Sequence, residues 1–134
     1  MQDVLQDIHQ YNHHFTISQV VTFFERKGLV ITKSMIQNYV RDGLLPPPVN
    51  KRYYTHKHLA VLSLVVKLKT VYEIAEIIKV LRPLMDSEGI PLEVYRECIR
   101  ESSNVSLPQN VGVLALMAHS IDVKDEVLLQ LKKI

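Results

Sequence analysis

Lys33, Ser34, Gln37, Asn38 and Arg41 recur at the three- and four-residue spacing that puts side chains on one stripe of a helix. The chemistry available to such a stripe is that of reading a nucleic acid. Arg and Lys donate to guanine or to phosphate, and Gln and Asn carry the paired donor and acceptor that fit the edge of adenine. Any solvated helix face carries residues of these types. What sharpens the stripe is its sequel, Lys51-Arg52-Tyr53-Tyr54, a second cationic element only a short loop away. Between residues 20 and 70 nine basic side chains stand against two acidic ones, Glu25 and Asp42, a net of +7. The whole chain carries only +2, so the remainder carries −5. A polyphosphate is drawn to the first part and repelled by the rest.

Other chemistries have less to build on. His9, His13 and His14 lie in a polar lead-in, residues 1–14, without a Cys or carboxylate spaced to complete a zinc site, so they are expected on the surface. The single cysteine, Cys98, excludes an intramolecular disulfide and fits a reducing compartment. Beside Val94, Tyr95 and Ile99 it is expected to pack in a core. No Ser/His/Asp or Cys/His constellation and no phosphate loop occurs, so no catalytic residue, metal or cofactor is expected and the chain is not read as an enzyme. No apolar run approaches the roughly 20 residues that span a bilayer. The start, Met1-Gln2-Asp3-Val4, lacks the basic flank and apolar core of a signal peptide, and a cytoplasmic protein is expected. A hydrophobic fraction of 47% with 22% charged residues indicates a folded chain, and 134 residues suffice for one domain with an appendage.

The elements that must position the cationic residues begin at Phe15. Thr16 and Gln19 form a capping box, Phe15 and Val20 a hydrophobic staple, and Val20, Val21, Phe23 and Phe24 a buried face that runs to Gly28. A second helix starts after Thr32 and stops at Gly43, with Ile36, Tyr39 and Val40 inward and Leu44 closing its end. Pro46-Pro47-Pro48 then supplies a stiff turn, Asn50 a left-handed position, and Lys51 to Tyr54 a short returning strand. Thr55 caps a helix whose inner face is Leu59, Leu62, Val65, Val66 and Leu68, with His56 and His58 exposed in its first turn, open to phosphate. Thr70 and Glu73 are expected as a second capping box, opening a helix with Ile74, Ile77, Ile78 and Leu81 inward.

From Asp86 the character changes. Pro91 opens an acidic helix with Leu92, Tyr95 and Ile99 on its apolar stripe, Ser102-Ser103-Asn104 breaks it, and Pro108 opens another. Leu107, Leu114, Ile121 and Leu128 recur every seven residues with Val111 and Ala118 between them. Ser120 to Asp122 leaves open whether this is one helix or two. The tail either packs on its own subunit or forms a coiled coil, and it is the expected dimerisation or partner surface.

The run Tyr39, Gly43-Leu44-Leu45-Pro46, Arg52 and Tyr54 resembles the winged-helix domain of the MerR regulators, and more narrowly an uncharacterised bacterial family of MerR-like proteins, a domain of unknown function. The likeness covers about residues 15 to 82. It implies an all-α fold: a winged helix-turn-helix over 15–85 with a short β wing, then a helical tail over 86–134. The implied function is sequence-specific binding of double-stranded DNA by a homodimeric transcriptional regulator. The DNA-binding set is Lys33, Ser34, Gln37, Asn38, Tyr39, Arg41, Lys51, Arg52 and Tyr53. A protein-interaction adaptor and a DNA-bending accessory factor of recombination are the alternatives. Operator, sign of regulation and effector are not encoded in any motif.

Overall fold

The computed structural model describes residues 14–85, 94–95 and 109–134. Its elements are helices α1 (Ile17–Arg26), α2 (Lys33–Arg41), α3 (His56–Leu68) and α4 (Ile74–Leu81), a 3-10 turn at Arg82–Leu84, and a long helix α5 (Gln109–Leu131). Among the described residues there is no sheet, only isolated antiparallel bridges joining Phe15 to Tyr54 and Val49 to Tyr53. The molecule is predominantly helical. His9, His13, Cys98, the break at 102–104 and most of the helix expected after Pro91 lie outside the described residues. Val94 and Tyr95 are helical, and Tyr95 is fully buried.

The first two helices begin and end for the same local reasons. Thr16 accepts the Gln19 amide at 3.3 Å while Gln19 Oε1 accepts the Thr16 amide at 2.9 Å, and Thr32 accepts the Met35 amide at 3.1 Å. Both end in a glycine at positive φ, Gly28 at 76° and Gly43 at 77°. Beyond each glycine a leucine amide reaches back to the helix: Leu29 to the Phe24 carbonyl at 3.0 Å and Leu44 to the Tyr39 carbonyl at 2.9 Å. This double closure satisfies carbonyls that a helix end would otherwise orphan, and a side chain at either glycine would be strained.

Helix α3 is the centre of the fold. Every residue from His58 to Val65 is buried, so it is covered on all sides and not on the single inner face the sequence spacing suggests. Its residues join Val20 and Phe24 of α1, Ile36 of α2, Ile77 and Leu81 of α4 and Leu114, Ala118 and Ile121 of α5 in one apolar cluster. Each large side chain removed from water there contributes about 1.5–3 kcal/mol before ordering costs. α5 packs on α3 and α4, and the Lys67 ammonium hydrogen-bonds the Asp122 carboxylate across that contact. The tail helix is thus part of the core that residues 15–85 build, and a chain ending at Met85 would uncover α3. α5 is continuous through Ser120 to Asp122.

Two local expectations are corrected. Lys51 to Tyr54 do not form a strand. Asn50 and Lys51 both take left-handed conformations, φ 54° and 58°, and the Arg52 amide closes onto the Val49 carbonyl at 3.0 Å. Residues 49–53 therefore make a tight turn, and three prolines without amide donors before it leave no ladder for a strand to extend. The cap of α4 also differs: Glu73 is the cap and Glu76 its partner, with the Glu73 amide bonded to Glu76 Oε1 at 3.0 Å. Thr70 instead closes α3, its hydroxyl donating to the Lys67 carbonyl at 2.7 Å.

Candidate nucleic-acid interface

Because Ile36 and Tyr39 are drawn into the core, the opposite side of α2 must face outward. Lys33, Ser34, Gln37, Asn38 and Arg41 are all exposed, so the helix presents the stripe that the spacing defines. Arg41 Nε lies 3.3 Å from Asp42 Oδ1, with both side chains well exposed. A solvent-screened pair of this kind contributes about 0–1 kcal/mol and yields easily to a stronger anion.

Tyr39 stands apart from the other expected site residues. Only 6% of it is exposed, and its hydroxyl accepts a 3.1 Å hydrogen bond from the Lys69 ammonium, which also lies 5.6 Å from its ring centroid. Its place is behind the stripe, where it ties α2 to the end of α3. A ring packed to fill the core cannot also reach a groove. Lys67 is paired with the Asp122 carboxylate, so the local count of +7 overstates the charge available to an external ligand, whereas Lys69, bonded to a neutral phenol and exposed, keeps its charge.

The loop after α2 is held by a residue whose role the sequence reading misplaced. His58 is 1% exposed, not a surface histidine. Its Nδ1 accepts the Thr55 amide at 3.0 Å, and its Nε2 lies 3.1 Å from the Pro46 carbonyl and 3.2 Å from that of Pro47. With Nδ1 as acceptor, the ring is neutral and Nε2 carries the hydrogen that it donates to the two prolines. Burial lowers the His58 pKa below the ordinary 6.5, opposed by the bonds to the Pro47 and Pro46 carbonyls. Burial also raises the pKa of Tyr54, whose ring meets that of His58 edge-on with centroids 5.3 Å apart. Thr55 and His58 have capping-box spacing, with His in the place of Glu or Gln. That spacing was a readable sign that His58 folds back onto the cap of its helix.

This lock aims the turn that follows. Lys51 and Arg52 are exposed at its tip, and Arg52 Cζ lies 5.9 Å from the Tyr53 ring centroid. Tyr53 is half-buried and meets the His14 ring edge-on, with centroids 5.8 Å apart. A lysine held at positive φ costs about 1 kcal/mol relative to relaxed backbone, so the fold sustains strain at a cationic tip. Val40 of α2 and Pro46 and Pro47 line one cleft, which puts the root of this loop against the flank of the α2 stripe. Among the described residues no three His, Cys, Asp or Glu side chains are placed to hold a metal ion, and no helix is long and apolar enough to cross a membrane.

Fold and surface together define a helical domain that sets one polar, cationic helix face beside a stiffened basic turn. The chain belongs to the family described as domain of unknown function (DUF1836), whose pattern matches residues 4–98. No curated protein and no solved structure matches it.

Proposed function

We propose that this protein binds double-stranded DNA sequence-specifically as a transcriptional regulator of the MerR-like winged helix-turn-helix type. In this reading α1 and α2 are the helix-turn-helix and α2 enters the major groove. The turn at residues 50–52 is the wing, in reach of backbone or minor groove. The observation that carries the reading is the exposure of Lys33, Ser34, Gln37, Asn38 and Arg41 together on a helix capped at both ends, beside a strained turn tipped by Lys51 and Arg52. Gln37, Asn38 and Arg41 would read base edges, while Lys33, Ser34, Lys51 and Arg52 would meet phosphates and Tyr53 would brace Arg52.

A homodimer completes the proposal, because two-fold related modules double the contacts that one small domain offers. The surface that suits it is the outer side of α5. Val113, Leu116, Val123 and Val127 are exposed there, three or four residues apart apart from the gap filled by Ser120. Selection of bound sequences from a random duplex pool tests the reading: an enriched inverted repeat is expected, and no enrichment at low salt overturns it. The same exposed face of α5 supports a second reading, a protein adaptor. Affinity for duplex DNA that falls steeply with salt favours the first, whereas a partner contact through apolar residues is insensitive to ionic strength.

A further inference from the structure

A cleft of about 290 Å³ lies between the end of α2, the proline loop and the 3-10 turn after α4. Its walls are Val40, Leu45, Pro46, Pro47 and Met85, and its polar group is the side chain of Arg82. Three features give it a definite chemistry. Pro46 and Pro47 have no amide hydrogens, and their carbonyls are taken by His58 Nε2, so that wall offers hydrocarbon alone. Gly43 leaves room for the Arg82 guanidinium: a Cβ there would stand 3.3 Å from Arg82 Cζ. Among the described residues no carboxylate lines the cleft to neutralise that guanidinium.

We propose that this cleft is a binding site for a small organic carboxylate with a compact apolar body. Arg82 receives the carboxylate through paired N–H donors, and the proline, valine and methionine side chains cover the body. The volume stands at the lower end of the range for ligand pockets, about 300–1,000 Å³, so a single ring with a short acidic chain fills it. The site sits where the proline loop meets α2. On the DNA reading proposed above, an occupant shifts the turn at 50–52 relative to the α2 stripe and changes DNA affinity. That coupling rests on the DNA reading, whereas binding does not.

Titration of the full chain with 3-phenylpropionate, followed by the methyl resonances of Val40, Leu45 and Met85, tests the site without DNA. Saturable shifts in about the millimolar range are expected for so small a ligand. The neutral counterpart 3-phenylpropanol should bind at least about tenfold more weakly, because it lacks the charge that Arg82 receives. Arg82→Gln should remove that preference and Arg82→Lys should keep part of it. Equal binding of acid and alcohol, shifts confined to other parts of the molecule, or no saturation overturns the site. Saturable binding with unchanged affinity for the selected duplex overturns only the coupling. Arg82→Gln that weakens DNA binding without affecting the acid reassigns Arg82 to a phosphate contact and overturns the proposal.

Discussion

Replacing His58 separates two tasks that one imidazole performs, and the two have different energies. His58→Gln keeps an acceptor for the Thr55 amide, in the side-chain type that commonly closes a Thr cap, but is too short to bond the Pro46 and Pro47 carbonyls as well. His58→Ala loses both. An unmet buried amide costs about 1–3 kcal/mol, and the lost loop bond about 1 kcal/mol. The cavity left by a ring that is 1% exposed adds about 1–2 kcal/mol. The alanine variant should therefore lose about 3–6 kcal/mol and the glutamine variant about 1–2 kcal/mol, measured by urea unfolding followed by circular dichroism at neutral pH. The pH dependence gives an independent check. Because burial holds the folded pKa below 6.5, the unfolded chain takes the proton first as pH falls. The stability that His58 contributes is complete above pH 6.5 and is lost as pH drops through the lower folded value. The glutamine variant lacks this component, so its stability curve and that of the native chain converge as pH falls below 6.5. Equal losses for the two variants, or curves that stay parallel as the pH is lowered, would refute the assigned lock.

Asp122→Ala should cost about 1–3 kcal/mol in urea unfolding, less than for a fully buried pair, because Asp122 is 33% exposed while Lys67, 11% exposed, loses its carboxylate. Lys67→Met together with Asp122→Leu should recover most of that loss, and no recovery would mean that the pair does not govern the contact. Gln37→Ala or Asn38→Ala should lower preference for a selected site by about 1–3 kcal/mol and leave random-duplex binding nearly unchanged, whereas Lys51→Ala with Arg52→Ala should weaken all duplexes alike and reduce the salt slope. Lys51→Gly, which suits φ 58°, should hold stability within about 1 kcal/mol of native while weakening duplex binding like the alanine change; unaltered binding would detach the turn from DNA. Val127→Asp should give a monomer by light scattering without loss of helix, and a dimer that survives it would move the interface elsewhere.

Local signals in this sequence were legible wherever a short-range interaction decides the structure. The Thr16 and Thr32 caps, the glycine stops at 28 and 43 and the exposed stripe of α2 follow from spacings of a few residues, and the structure has them. Long-range packing was not legible in the same way. Nothing local says that α3 is covered on every side, since Leu59, Leu62 and Val65 read equally well as one face of an amphipathic helix. His58 was misplaced because histidine is usually a surface residue, and only the loop carbonyls folded back over it, from eleven and twelve residues away, make burial favourable. Likewise Lys67 counts as free positive charge in the sequence, while in the fold Asp122, 55 residues away, pairs with it. Charge summed along a chain marks where cations are encoded. Only packing says which of them remain for a ligand.

The tail shows why one repeat was read and another missed. At 1.5 Å per residue the 23 residues of α5 span about 35 Å. The seven-residue repeat of Leu114 and Ile121 is the inner side, buried against α3 and α4, but its continuation Leu128 is 48% exposed because the contact ends near Lys67 and Asp122. A second stripe runs along the other side: Val113, Leu116, Val123, Val127 and Leu131, with exposures from 39% to 71%. Helices apolar on two sides are found where both sides are covered. Covering what these five side chains still expose on each of two copies contributes about 8–17 kcal/mol, of the same size as the roughly 4–15 kcal/mol cost of association, so the dimer forms only where the stripe is well covered.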